Sequence, residues 1–207
     1  MPSFNETNKH MKVNDFKMDK RITVPFLKWP GGKRWLIHRM IDCMPRIEGK
    51  YIEPFLGGGA FFFALRPSCA KLSDINSELI ETYIVMRDKP ELLREKMLYH
   101  QNHHNKEYYY QMRSMKPITD IDRASRFLYL NRTCFNGMYR VNKKGDFNVP
   151  KGTKDHFVYD VESFEEYSSL LGNAEIEAKD FENAIKSANK NDLIFADPPY
   201  AMNEGPI

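Results

Sequence analysis

The chain has 207 residues, 42% hydrophobic and 29% charged, with a formal net charge of +3. This suits one packed domain, or one domain carrying an insertion, and excludes an extended disordered chain. No apolar run is long enough to cross a bilayer, and residues 1–20 are polar, without the apolar stretch of a secretory signal. Three scattered cysteines, Cys43, Cys69 and Cys134, form neither a disulfide framework nor a metal-ligand pattern, so a reducing, cytoplasmic setting is expected. The six histidines, His103-His104 among them, lack the cysteine or carboxylate partners of a metal site and are read as surface residues. No metal is expected.

The small net charge hides an asymmetry. Residues 1–50 carry 11 Lys/Arg against 5 Asp/Glu, residues 111–154 carry 10 against 3, and residues 155–207 carry 3 against 12. Two basic segments suit a phosphate-backbone partner, although solvated surface charge reads the same way in composition alone.

Residues 1–22 are expected to be a flexible polar lead-in. Pro25 to Lys33 runs from an apolar stretch into Pro30-Gly31-Gly32, a loop, and a helix is predicted from Arg34 to Met44, with Trp35, Ile37, Met40, Ile41 and Met44 on its apolar face. Glycines before a helix let backbone N–H groups approach a ligand, and Lys33 would meet an anion there. A plain loop-to-helix junction is the equal alternative. Tyr51 to Leu65 reads as strand, Gly-rich turn (Gly57-Gly58-Gly59), helix. Asp74, at the end of a second short strand, lies 21 residues beyond Glu53. That is the nucleoside-binding arrangement of doubly wound sheets. The spacing is not Gly-x-Gly-x-x-Gly, and Glu53 suits a cationic amine better than a pyrophosphate. The pattern therefore favours an amino-acid-bearing nucleoside such as S-adenosylmethionine over NAD.

Helical periodicity runs from Ser77 to about Met115, interrupted at Pro90, and again over 121–131. The Tyr108-Tyr109-Tyr110 run is expected to be core rather than a stacking surface. From Asn131 to Pro150 the chain mixes Arg, Lys, Asn, Gly and aromatics, with a hairpin turn at Asn142 to Gly145. A basic hairpin can enter a DNA groove, while an ordinary solvated hairpin carries similar charge. Ala174 to Phe181 reads as a strand ending at Asp180-Phe181, followed by a helix at about Glu182 to Ala188. Leu193-Ile194-Phe195-Ala196 reads as a buried parallel strand, apolar on both faces. It delivers Asp197-Pro198-Pro199-Tyr200 to its carboxyl end, where such sheets bind ligands. Asp197 can accept hydrogen bonds from an amino group, the prolines leave nearby carbonyls free, and Tyr200 offers a face for stacking.

Taken together, these motifs resemble the Dam-like DNA adenine-N6 methyltransferases, the D12 class, in the order of its α group, over roughly residues 25–200. The resemblance implies an α/β fold: a Rossmann-like methyltransferase sheet, incomplete at the C-terminus, with an inserted, mainly helical DNA-recognition domain carrying a β-hairpin. Residues 23–88 and 168–207 would form the S-adenosylmethionine-binding catalytic domain, and 89–167 the target-recognition insert. The implied cofactor residues are Trp29, Lys33, Glu53, Phe55, Gly57 and Gly59, then Asp74, Ile75, Asp180, Phe181 and Asp197. Asp197, Pro198, Pro199 and Tyr200 would be catalytic. Lys28, Phe135, Asn136, Met138 and Arg140 would contact double-stranded DNA at a GATC-like site; Phe135 stands where a Tyr is common in the family. The chain ends seven residues after Tyr200, where family members continue. An inactive, truncated relic, or a half completed by a complementing C-terminal fragment, is therefore the alternative expectation. A nucleotide-dependent oxidoreductase is a third reading, disfavoured by the absent dinucleotide fingerprint.

Overall fold

The computed structural model describes residues 23–158 and 163–199. Four strands form one parallel sheet: β1 (Tyr51–Glu53), β2 (Ala70–Asp74), β3 (Ala174–Ala178) and β4 (Leu193–Ile194). Their order is β3-β2-β1-β4. β2 and β3 build outward on one side of β1, and β4 returns to the other. The chain therefore reverses direction across the sheet between β1 and β4, the switch point where doubly wound sheets leave a crevice beyond their carboxyl ends. This is the Rossmann-like α/β arrangement the resemblance implies.

The helices are α1 (Ile37–Met40), α2 (Ala60–Leu65), α3 (Ser77–Asp88), α4 (Pro90–His103), α5 (Lys106–Ser114), α6 (Asp120–Thr133), α7 (Phe164–Leu171) and α8 (Phe181–Lys186). Local chemistry sets their starts. Asn76, Asn105, Thr119, Ser163 and Asp180 each accept a backbone N–H of the first turn, and Pro90 opens α4, where a missing N–H is harmless. The helical stretch expected over 77–115, with its interruption at Pro90, is three helices: the break falls at Lys89, and a second one lies at His104-Asn105.

One continuous core joins the sheet to the helices on it. Phe26 meets Tyr83 edge-on at 5.0 Å and Tyr167 at 5.3 Å, and Phe63 meets Tyr167 at 5.6 Å. Arg132 is buried, donating to the carbonyls of Phe26 and Phe157 at 3.0 Å each. Arg126 donates to the carbonyls of Met112 and Arg113, at the end of α5. Two of the ten basic residues of 111–154 are therefore structural clamps.

Several expectations are corrected. The helix predicted over 34–44 is one α-helical turn flanked by 3-10 turns, Arg34–Leu36 and Ile41–Cys43. Its Trp35 is not core but 67% exposed. The strand predicted to reach Asp180-Phe181 stops at Ala178, because Asp180 caps α8 through the N–H of Glu182 at 2.9 Å. The last strand is not buried on both faces: Leu193 to Phe195 are half-buried and Ala196 is exposed, since among the described residues β4 pairs with β1 alone. His100 is buried, and the His104 side chain is 1% exposed. Their rings pack on Tyr129, so neither is the surface residue expected. In the tyrosine run, Tyr109 is core, Tyr108 packs against it and Tyr110 is exposed. The turn at Asn142 to Gly145 is present: Gly145 N–H donates to Asn142 at 2.9 Å, and Val141 pairs antiparallel with Phe147. The expected flexible lead-in, 1–22, lies outside the described residues.

Candidate active site

A cavity of about 800 Å³ opens beyond the carboxyl ends of β1, β2 and β4. Its base is the Gly-rich turn after β1. Gly57 (φ 48°) and Gly59 (φ 65°) are both in the left-handed region, where a side chain would be strained. The turn is pinned on three sides: Leu56 N–H donates to Ser73 at 2.9 Å, Tyr83 hydroxyl donates to the Gly57 carbonyl at 3.1 Å, and Gly57 N–H donates to Asp74 Oδ2 at 3.0 Å. Asp74 Oδ1 accepts the N–H of Asn76 at 3.0 Å. An ionised carboxylate has about four acceptor positions, so Asp74 retains capacity facing the cavity.

Lys33 and Asp197 meet across the mouth of the crevice, Nζ lying 2.9 and 2.8 Å from the two carboxylate oxygens. Nζ also donates to the Gly31 carbonyl at 3.0 Å. The clasp ties the loop before α1 to the end of β4, residues 164 apart. Pro198 and Pro199 continue the rim. Phe195 packs on Phe61 with ring centroids 4.2 Å apart.

Glu53 lies on the inner wall, buried, its Oε2 accepting the Tyr51 hydroxyl at 2.8 Å. Burial pushes its carboxyl up to about 8; the Tyr51 hydrogen bond opposes this. Opposite, Phe181 stacks on Phe55 at 5.2 Å and stays partly exposed, Asp180 lies beside it, and Ile75 is 77% exposed at the edge. Two apolar groups left open beside a cavity form a slot that suits a planar ring.

The predicted nucleic-acid residues divide. Lys28 and Asn136 line the same cavity, Asn136 with φ 57°. Phe135, Met138 and Arg140 lie exposed on the loop that follows α6. Tyr200 lies outside the described residues. The structure thus brings together every predicted site residue it describes except those three.

Four further residues organise this region. Asn131 accepts the Lys28 N–H at 2.9 Å and donates to the Lys28 carbonyl at 2.6 Å. Tyr139 stacks on Trp29 at 5.2 Å and 21°. Tyr51 and Tyr83 hold Glu53 and the Gly-rich turn. The one available signal was Asn131 itself, a polar residue in an otherwise apolar helix face, where burial demands a partner. Among the described residues, no group of three or more His, Cys, Asp or Glu could hold a metal, and no helix is long and apolar enough to cross a membrane.

Known proteins have similar sequences. The family model described as D12 class N6 adenine-specific DNA methyltransferase matches residues 29–205. The type II methyltransferase M1.LlaDCHI of Lactococcus lactis subsp. cremoris is 44% identical over 185 residues, 85% of this chain and 65% of that protein. The type II methyltransferase M.MjaIII of Methanocaldococcus jannaschii is 36% identical over 198 residues, 85% of this chain and 68% of that protein. The DNA adenine methylase of Haemophilus influenzae is 32% identical over 182 residues, 86% of this chain and 64% of that protein. The chain spans about two thirds of the length of these relatives. With a match covering most of its length and the motifs gathered at one switch-point cavity, this chain belongs to the D12 class N6 adenine-specific DNA methyltransferase family.

Proposed function

We propose that this chain is a site-specific DNA adenine-N6 methyltransferase that takes S-adenosylmethionine as cofactor and acts at a GATC-like site in double-stranded DNA. One observation carries the reading: Asp197-Pro198-Pro199 and the Gly57–Gly59 turn open onto one cavity, with Asn136 of the basic loop at its rim. On this reading residues 23–88 and 168–207 bind cofactor, 89–167 recognise DNA, and the protein works in the cytoplasm.

The donor set fits the cofactor. Lys33 suits its carboxylate, Glu53 its ammonium, Asp74 its ribose, and Ile75 with Phe181 its ring. The bound cofactor supplies an electrophilic methyl group on a sulfonium. The chain's own groups do the rest. The target adenine must leave the duplex to reach the cavity, and Tyr200 would stack on it. Its N6 lone pair is conjugated with the ring and weakly nucleophilic. Asp197 and the Pro198 carbonyl accept the amino hydrogens, which localises the lone pair and stabilises the positive charge that develops on nitrogen. Holding both reactants in line supplies much of the rate.

The test is to incubate the purified chain with labelled S-adenosylmethionine and a GATC duplex, beside Asp197→Ala. Label on adenine, reduced by about 10² or more in the variant, is expected. No transfer from a folded chain that binds the cofactor would refute activity of this chain alone and favour a binding-only relic or a half that needs a complementing C-terminal segment.

A further inference from the structure

The segment that carries Trp29 and Lys33 is bolted to the loop that carries the proposed DNA contacts. Asn131, in the last turn of α6, holds the Lys28 peptide by both its N–H and its carbonyl. The Lys28 stem lies on Gly137: a Cβ there would sit 2.5 Å from Lys28 Cδ. Trp29 is held between two sites. One face stacks on Tyr139 and, at 6.3 Å, on Phe127, while its edge lies against Gly57, where an added Cβ would come within 2.6 Å of Cδ1. Tyr139 in turn donates to Glu78 Oε2 at 3.0 Å, on α3, just beyond the cavity-lining Asn76. Trp29 therefore touches the cofactor turn on one side and the recognition loop on the other.

We propose that Asn131 and Tyr139 are positioning residues that lock the cofactor segment to the DNA-recognition loop, so that each ligand strengthens binding of the other. This rests on the function proposed above. Close-packed rings do not slide independently, so a loop settled on DNA fixes Tyr139, which fixes Trp29 against Gly57. Thermodynamic linkage makes the effect reciprocal: cofactor must tighten DNA binding by the same factor.

The experiment measures the dissociation constant of S-adenosylmethionine for the full 207-residue chain, with and without a saturating GATC duplex. The ratio of the two constants is the readout, which a merely structural role would leave unchanged. In the parent it should be about fivefold or more. Tyr139→Ala and Asn131→Ala should bring it close to one, while Tyr139→Phe, which keeps the stacked ring, should retain most of it. Asn131 is buried, so Tyr139→Ala at its half-buried position carries the test if Asn131→Ala does not fold; thermal unfolding of each variant decides that. A ratio of one in the parent, or an unchanged ratio in Tyr139→Ala, overturns the inference alone. A folded parent that does not bind the cofactor overturns it together with the proposed function.

Discussion

Glu53 is the most perturbed carboxyl in the cavity, and its position makes that perturbation useful. Buried beside Tyr51, it is held neutral near pH 7. Its folded value, about 8, lies above its ordinary 4.5, so the native state binds the extra proton between those limits. Stability contributed by Glu53 is present below pH 4.5 and is lost as pH rises towards 8, by up to about 1.4 kcal/mol per pH unit. Glu53→Gln should remove that slope, which thermal unfolding across pH 5–8 will show. A cationic amine placed beside Glu53 favours its ionised form, so cofactor binding at pH 7 should release a proton. Calorimetry in two buffers of different ionisation enthalpy measures the release, and its absence would remove Glu53 as the ammonium partner.

At the scale of elements, α4 is the one whose stability should follow acid. His100 Nδ1 shares a hydrogen bond of 2.7 Å with the Tyr108 hydroxyl, and its Nε2 is buried without a hydrogen-bond partner among the described residues. Burial pushes the imidazole down to about 4, and Lys96 adds to the shift. Burial also lowers His104, which bonds the Tyr129 hydroxyl at 2.8 Å. Here the unfolded chain takes up the proton first. Stability from His100 is full above about pH 6.5 and is lost as pH falls towards 4, the opposite sense to Glu53. His100→Phe should flatten that loss. The difference in urea midpoint between variant and parent, followed from pH 7 to 4.5, isolates it; a constant difference would refute it. Two histidines that read as surface residues thus tie α4 to α5 and α6.

At the scale of the molecule, charge and topology divide the work. The strongly acidic stretch 155–207 contains β3, α8 and β4 of the sheet. The basic stretch 111–154 ends in the exposed loop and turn bearing Arg140, Lys143 and Lys144. Because Arg126 and Arg132 are used inside the fold, the electrostatic footprint is smaller than the composition implies. DNA affinity should fall linearly on a log–log plot against salt, with a slope near −0.9 for each phosphate neutralised. Replacing Lys143 and Lys144 together by Ala should make that slope shallower by about two and weaken binding to all sequences alike. Titrations at several salt concentrations measure this, and an unchanged slope would place the phosphate contacts elsewhere.

The residue order by itself determined the αβ alternation, the Gly-rich turn with its distant acid, the basic hairpin turn and the carboxylate after the last strand, because each depends on local chemistry: glycine at positive φ, proline at helix starts, period-two and period-3.6 hydrophobicity. The resemblance those motifs carry named about half of the residues that line the cavity. Only the tertiary structure decided the rest. Strand order placed β4 beside β1 and created the crevice; the same placement left Leu193 to Phe195 half-buried rather than core. Contacts between residues 100 or more positions apart, Asn131 with Lys28 and Lys33 with Asp197, joined segments whose sequences carry no mark of each other. Burial, which depends on all neighbours at once, turned His100 and His104 from expected surface groups into interior ones, enclosed Arg132 and gave Glu53 its neutral form.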